Sequence, residues 1–196
     1  MDWKNHDPQT LLGELQSGDD DRSERAVHRV AELGERMLPL LLEQLQSQEP
    51  DQRWWATAAL THIDREEARK ALLESLADED TAVRQCAAFG LRRHPYVDAI
   101  PTLLDLLGDD DRLLARLAAD ALAALGECAV SPLTEALRSE DAAVRIEAAR
   151  ALASIDDPSV IAPLFTALDD DSSLVTHWAE EGLQRRGVGM VFFKPS

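Results

Sequence analysis

Apolar residues recur at helical spacing along the chain, and the clearest stretch is Asp141-Ala142-Ala143-Val144-Arg145-Ile146-Glu147-Ala148-Ala149-Arg150-Ala151-Leu152. The same pattern returns from Asp80 to Leu91, and more weakly from Asp111 to Leu122, with Leu114, Ala118, Ala119 and Leu122 at the matching positions. Fainter copies begin at Asp19, Glu49 and Ser172. Successive starts are separated by 30, 31, 31, 30 and 31 residues. So steady a period predicts a stack of repeats.

Each repeat reads as two helices. The first ends on a leucine four residues before the repeat start: Leu15, Leu45, Leu76, Leu107, Leu137 and Leu168. Asp7-Pro8 predicts the start of the first helix in the chain, with a capping side chain followed by proline. Pro39, Pro101, Pro132 and Pro163 are expected near the starts of later first helices, where the missing N–H needs no partner. The second helices are expected to end on one column, at Gly34, Asp64, Pro95, Gly126, Asp156 and Gly187. No stretch alternates with the period of two that a half-buried strand would show. One pair cannot bury its apolar stripe alone, and stacking makes the core continuous. Residues 1–187 therefore read as a single all-α domain of about six helix pairs. The tail, 188–196, leaves the pattern. It is expected either to fold over the end of the last pair or to pair with another chain as an extended segment.

The signature D-x-x-V-R-x-x-A-A-x-A-L, with proline in the alternate helix and a period near thirty, resembles the short HEAT-like repeat also found in phycobilin lyases. The resemblance covers roughly residues 7–187. It implies a right-handed α-solenoid of about six HEAT-like helix pairs whose second helices line a concave face. It also implies that the Asp and Arg of the signature bond along the stack. Here the Arg column reads Ser23, Arg53, Arg84, Ala115, Arg145, Thr176, so that ladder is expected to break in the fourth repeat and to be absent at both ends.

Composition narrows the function classes. Of 196 residues, 45% are hydrophobic and 29% charged, a balance that folds. The net charge of -17 opposes nucleic acid and anionic membrane and favours basic proteins and cations. Cys86 and Cys128 do not make a secreted disulfide framework. The first eight residues hold no apolar run and no stretch holds eighteen consecutive apolar residues, so the expectation is a soluble cytoplasmic protein. His6, His28, His62, His94 and His177 offer no pair at ligand spacing, and neither H-E-x-x-H nor C-x-x-C occurs. No metal, cofactor or catalytic residue is expected. HEAT-like deoxyhypusine hydroxylases carry iron on adjacent His-Glu pairs, which this chain lacks, and that excludes their activity. Nothing points to a Ser/Cys–His nucleophile pair or to a phosphate-binding glycine loop.

Acidic runs fall at the turn inside several pairs: Asp19-Asp20-Asp21, Asp78-Glu79-Asp80, Asp109-Asp110-Asp111 and Asp169-Asp170-Asp171. One Asp per turn suffices to cap a helix. The surplus is open to solubility, to repelling wrong partners or to attracting a basic one. None matches the twelve-residue calcium loop.

On a helical wheel the Val, Ala and Leu columns of the second helices face the core. The opposite column reads Glu24, Trp54, Gln85, Arg116, Ile146, His177, and the next outward one His28, Ala58, Phe89, Asp120, Arg150, Glu181. A flanking column holds Arg25, Trp55, Cys86, Leu117, Glu147, Trp178. Exposed aromatics interleaved with Arg are the usual anchors of interfaces. Candidate contacts are therefore Trp54, Trp55, Phe89, Arg92, Arg116, Ile146, Arg150, His177 and Trp178. For Trp55 and Trp178, packing between neighbouring repeats is the competing reading.

The expected function is a non-catalytic scaffold or adaptor that binds a protein or peptide, a basic one being favoured by charge, on its concave face. Two alternatives stand beside it. Resemblance to the lyase repeats suggests attachment or chaperoning of a bilin or other tetrapyrrole, with Arg near its propionates. Resemblance to HEAT-like DNA glycosylases suggests duplex binding through Arg92, Arg93, Arg112, Arg116, Arg150, Arg185 and Arg186, which the overall charge opposes. Homo-oligomerisation through Trp54-Trp55 or Phe192-Phe193 is compatible with any of these.

Overall fold

The computed structural model describes residues 7–188. Within them lie twelve α-helices and no strand: α1 (Pro8–Leu15), α2 (Asp20–Leu33), α3 (Leu38–Gln44), α4 (Pro50–Leu60), α5 (Glu66–Ser75), α6 (Thr81–Arg93), α7 (Ile100–Asp105), α8 (Arg112–Ala124), α9 (Glu127–Ala136), α10 (Ala142–Ser154), α11 (Ile161–Ala167) and α12 (Ser173–Arg185). They pair consecutively, which gives the six helix pairs that the period predicts. Two compact units meet in sequence at His94 and Pro95. Of the tail, Val188 donates its N–H to the carbonyl of Leu183, and the expectations for the rest fall outside the described residues.

In the first unit α2, α4 and α6 pack side by side, each against its partner α1, α3 or α5. Leu11, Leu15, Met37, Leu41, Leu72 and Leu76 from the first helices and their caps pack with Ala26, Val30, Ala59, Leu60, Val83 and Ala87 from the second, all buried. The second unit repeats the plan, with α8, α10 and α12 adjacent and Leu103, Leu107, Leu133 and Leu164 filling its core against Leu114, Ala118, Ala149, Leu152 and Val175. Alanines at the contact let these helices lie close.

Every repeat start in the sequence is the N-cap of a second helix: Asp19, Glu49, Asp80, Asp111, Asp141 and Ser172. Asp19, Asp80, Asp111 and Asp141 accept backbone N–H bonds from the first turn, which satisfies donors that a helix leaves open. In all six, the N-cap N–H is in turn bound by the side chain two residues earlier. Ser17, Ser47 and Ser139 use a hydroxyl; Asp78, Asp109 and Asp170 use a carboxylate. Much of the acidic surplus is thus structural.

The ladder exists, with one correction to its chemistry. Arg53 forks onto Asp78 at 2.8 and 2.9 Å, and Arg145 onto Asp170 at 2.8 and 3.3 Å. The acceptor is the turn-closing Asp two residues before the next repeat start, because the signature Asp is occupied in capping its own helix. Residue types run in step along the chain. Asp78, Asp109 and Asp170 follow repeats that carry Arg53, Arg84 and Arg145, whereas Ser47 and Ser139 follow repeats that carry Ser23 and Ala115. Each Arg also binds the carbonyl of its own turn: Arg53 to Ser47, Arg84 to Asp78 and Arg145 to Ser139.

Helix ends follow the expected column where it holds glycine. Gly34, Gly126 and Gly187 all have positive φ, which turns the chain out of α2, α8 and α12. Pro132 departs from expectation. Helix α9 begins at Glu127, so Pro132 sits in its interior and removes one backbone hydrogen bond there. Pro39 and Pro101 lie at helix starts as expected.

Candidate functional site

Trp54 and Trp55 of the first unit sit on α4, and local chemistry explains how they are placed. Arg53 is drawn inward by Asp78, and Thr57 bonds back to the carbonyl of Arg53, so the helix is fixed on that side. Trp54 and Trp55 then fall on the side toward α2. Their rings meet edge to face, centroids 4.6 Å apart at 84°, and both are half-buried. An open groove of about 610 Å³ runs beside them. From α4 it is lined by Asp51, Trp54, Trp55 and Ala58, and from α2 by Asp20, Glu24, Val27 and His28.

The floor is aromatic and aliphatic, and the rim is acidic. Asp20, Glu24 and Asp51 are exposed, and among the described residues none of them joins an ion pair. No Lys or Arg lines the groove. The His28 ring stands edge-on to His62, centroids 5.7 Å apart. Burial lowers the pKa of His62, and Arg93, His28 and His94 push it the same way. On α6, Phe89 is 45% exposed and Arg92 is exposed. Neither lines the groove. Cys86 on the same helix is a protonated thiol, pushed up to about 12 by burial.

In the second unit Arg116 and His177 are exposed, while Ile146 and Trp178 are half-buried. The rings of His177 and Trp178 lie 5.4 Å apart. Arg150 corrects the wheel. Expected to point outward, it is only 8% exposed. Its guanidinium binds Glu147, Asp120 and the carbonyl of Arg116, each at 2.7 Å. Those bonds engage all three guanidinium nitrogens and tie α8 to α10. Ala58, in the same expected outward column, is likewise buried.

Among the described residues no cluster of His, Cys, Asp and Glu is placed to hold a metal ion. No helix there is long and apolar enough to cross a membrane.

The family model for HEAT repeats matches residues 9–92, 38–123 and 100–184. The chain belongs to the HEAT-repeat family. No curated protein matches its sequence. Among solved structures, this HEAT-repeat chain is similar to an engineered protein from a structural genomics consortium, at 25% identity and TM-score 0.55, over 94% of this chain and 98% of that one. It is also similar to the complex of CpcE and CpcF of phycocyanin lyase from Nostoc sp. PCC7120, at 21% identity and TM-score 0.57, over 93% and 78%. A designed armadillo repeat protein in complex with the peptide (KR)4 aligns at 17% identity and TM-score 0.52, over 90% and 98%. The last two likenesses are of fold.

The sequence marks Trp54 and Trp55 as contacts but not the α2 half of their groove. Glu24 shares a column with Trp54, and His28 shares one with Ala58, one repeat apart. Reading each column between adjacent repeats, acidic members included, would have assembled the site.

Proposed function

We propose that this HEAT-repeat protein is a non-catalytic, cytoplasmic binding module that takes a protein or peptide segment on the outward surface of its second helices. The observation that carries the reading is the set of solvent-reaching aromatic rings on those helices. Trp54, Trp55 and Phe89 lie on them in the first unit, and Trp178 beside His177 in the second. Large rings left at a surface mark interaction sites, because burying them on a partner removes apolar area that folding has not. Arg116 adds an exposed guanidinium in the second unit. Two structural neighbours, by their own descriptions, hold a peptide or form a protein complex, which agrees with this reading. A bilin role has only likeness of fold behind it, and a DNA role loses Arg150, which is spent inside the unit.

The test is side-chain footprinting by hydroxyl radicals, with peptides selected on the protein from a random display library. The expected result is that selected peptides shield Trp54, Trp55, Phe89 or Trp178. Peptides that bind and shield only side chains of α1, α3, α5, α7, α9 or α11 overturn the proposal.

A further inference from the structure

We infer that the groove between α2 and α4 receives a cationic side chain, lysine or arginine, from a basic segment of a partner protein. The inference rests on the protein-binding reading above and adds the chemistry of the partner.

Three observations converge on a cation. First, the floor offers indole rings, and an ammonium or guanidinium over an indole face is attracted by the ring's quadrupole. Second, Asp20, Glu24 and Asp51 surround that floor from two different helices, with no cation of the groove's own to balance them. Asp20 and Asp51 have a local reason to exist, since each lies in the first turn of its helix and favours the positive end of the dipole. Glu24 has no such reason, being a turn further along α2. What the helix dipole leaves unexplained is that all three meet across the two tryptophans. Third, the apolar lining of the groove, the half-buried Trp54 and Trp55 with the edges of Val27 and Ala58, suits the aliphatic stems of Lys and Arg. The same rim repels the alternatives: phosphates, bilin propionates and acidic peptides each bring a negative charge against three carboxylates.

A net charge of -17 attracts any cation weakly, so the test must separate the groove from the general field. The probe is a synthetic octapeptide of alternating lysine and arginine, titrated calorimetrically into the full chain. One variant is Asp20→Asn/Glu24→Gln/Asp51→Asn, which keeps side-chain shape and the tryptophans. The control is Asp110→Asn/Glu140→Gln/Asp169→Asn, three exposed carboxylates of the second unit that do not line the groove, with the same change in net charge. The groove variant is expected to weaken binding about tenfold and the control less than about threefold. Equal losses in the two variants overturn the inference, as does failure of the octapeptide to bind the wild-type chain. If library-selected peptides still shield the second helices in that event, the protein-binding reading stands and only the cationic partner falls. Circular dichroism of each variant confirms that the comparison is between folded proteins.

Discussion

Asp78 and Asp170 each close a turn and receive an arginine from the preceding repeat. Burial alone would raise the pKa of Asp78, but the Arg53 fork and the Asp80 N–H outweigh it and hold the carboxyl below its usual range. Asp170 is depressed chiefly by its hydrogen bonds from Arg145, against the opposing effect of burial. Depressed carboxylates bind fewer protons folded than unfolded. Their stabilisation is therefore complete above the unfolded value of about 3.9 and is lost as pH falls through the folded values. Between pH 5 and pH 3 the urea midpoint of the wild type should fall more steeply than that of Asp78→Asn, which has no such proton to gain. Parallel curves would show that the Arg53 fork adds nothing to stability. At this scale the sequence was legible where the chemistry is local, as in the caps. It was not legible for Arg150, because a wheel treats each helix alone. Asp120 lies one repeat away in the same column, and opposite charges stacked in one column predict a tie between neighbours, not two exposed groups.

Helix boundaries were read well because N-caps, prolines and terminal glycines act within one turn. Pro132 lies inside α9 and not at its start because the residues before it, Glu127 to Ser131, continue as helix where other repeats use a short 3-10 turn. Close approach of elements is the part that periodicity hides. Gly182 on α12 packs so tightly that an added Cβ would meet the Cα of Ala153 at 2.9 Å and a methyl of Leu164 at 2.8 Å. The backbone of α10 cannot step aside. Gly90 on α6 would meet methyl groups of Leu72 and Thr61 at 2.9 to 3.0 Å, and the end of Leu72 can turn away. Alanine is worth up to about 1 kcal/mol over glycine in a helix interior, and overpacking costs about 1–3 kcal/mol. Gly182→Ala should therefore destabilise by about 1–2 kcal/mol in urea unfolding, and Gly90→Ala by less. The reverse order would mean that α12 is free to shift from α10.

For the molecule as a whole, the period gave the six helix pairs and the family, because a repeat writes the same local rules six times. It said little about the partner, since repeats of one fold present different surfaces. The charge of -17 was visible from composition, but its division was not. Some carboxylates cap helices, some close turns, some hold arginines, and three line the groove beside the tryptophans of α4. That last group links surface chemistry to function.

Four tryptophans give four indole N–H signals in a proton–nitrogen correlation spectrum, and Trp54, Trp55 and Trp178 are each identified by a single substitution to phenylalanine. The most direct measurement is to follow these signals while the lysine–arginine octapeptide is added. Recognition in the groove between α2 and α4 predicts that the Trp54 and Trp55 signals move first and saturate together, ahead of Trp178. Binding that leaves both signals in place, or that moves Trp178 alone, would contradict it.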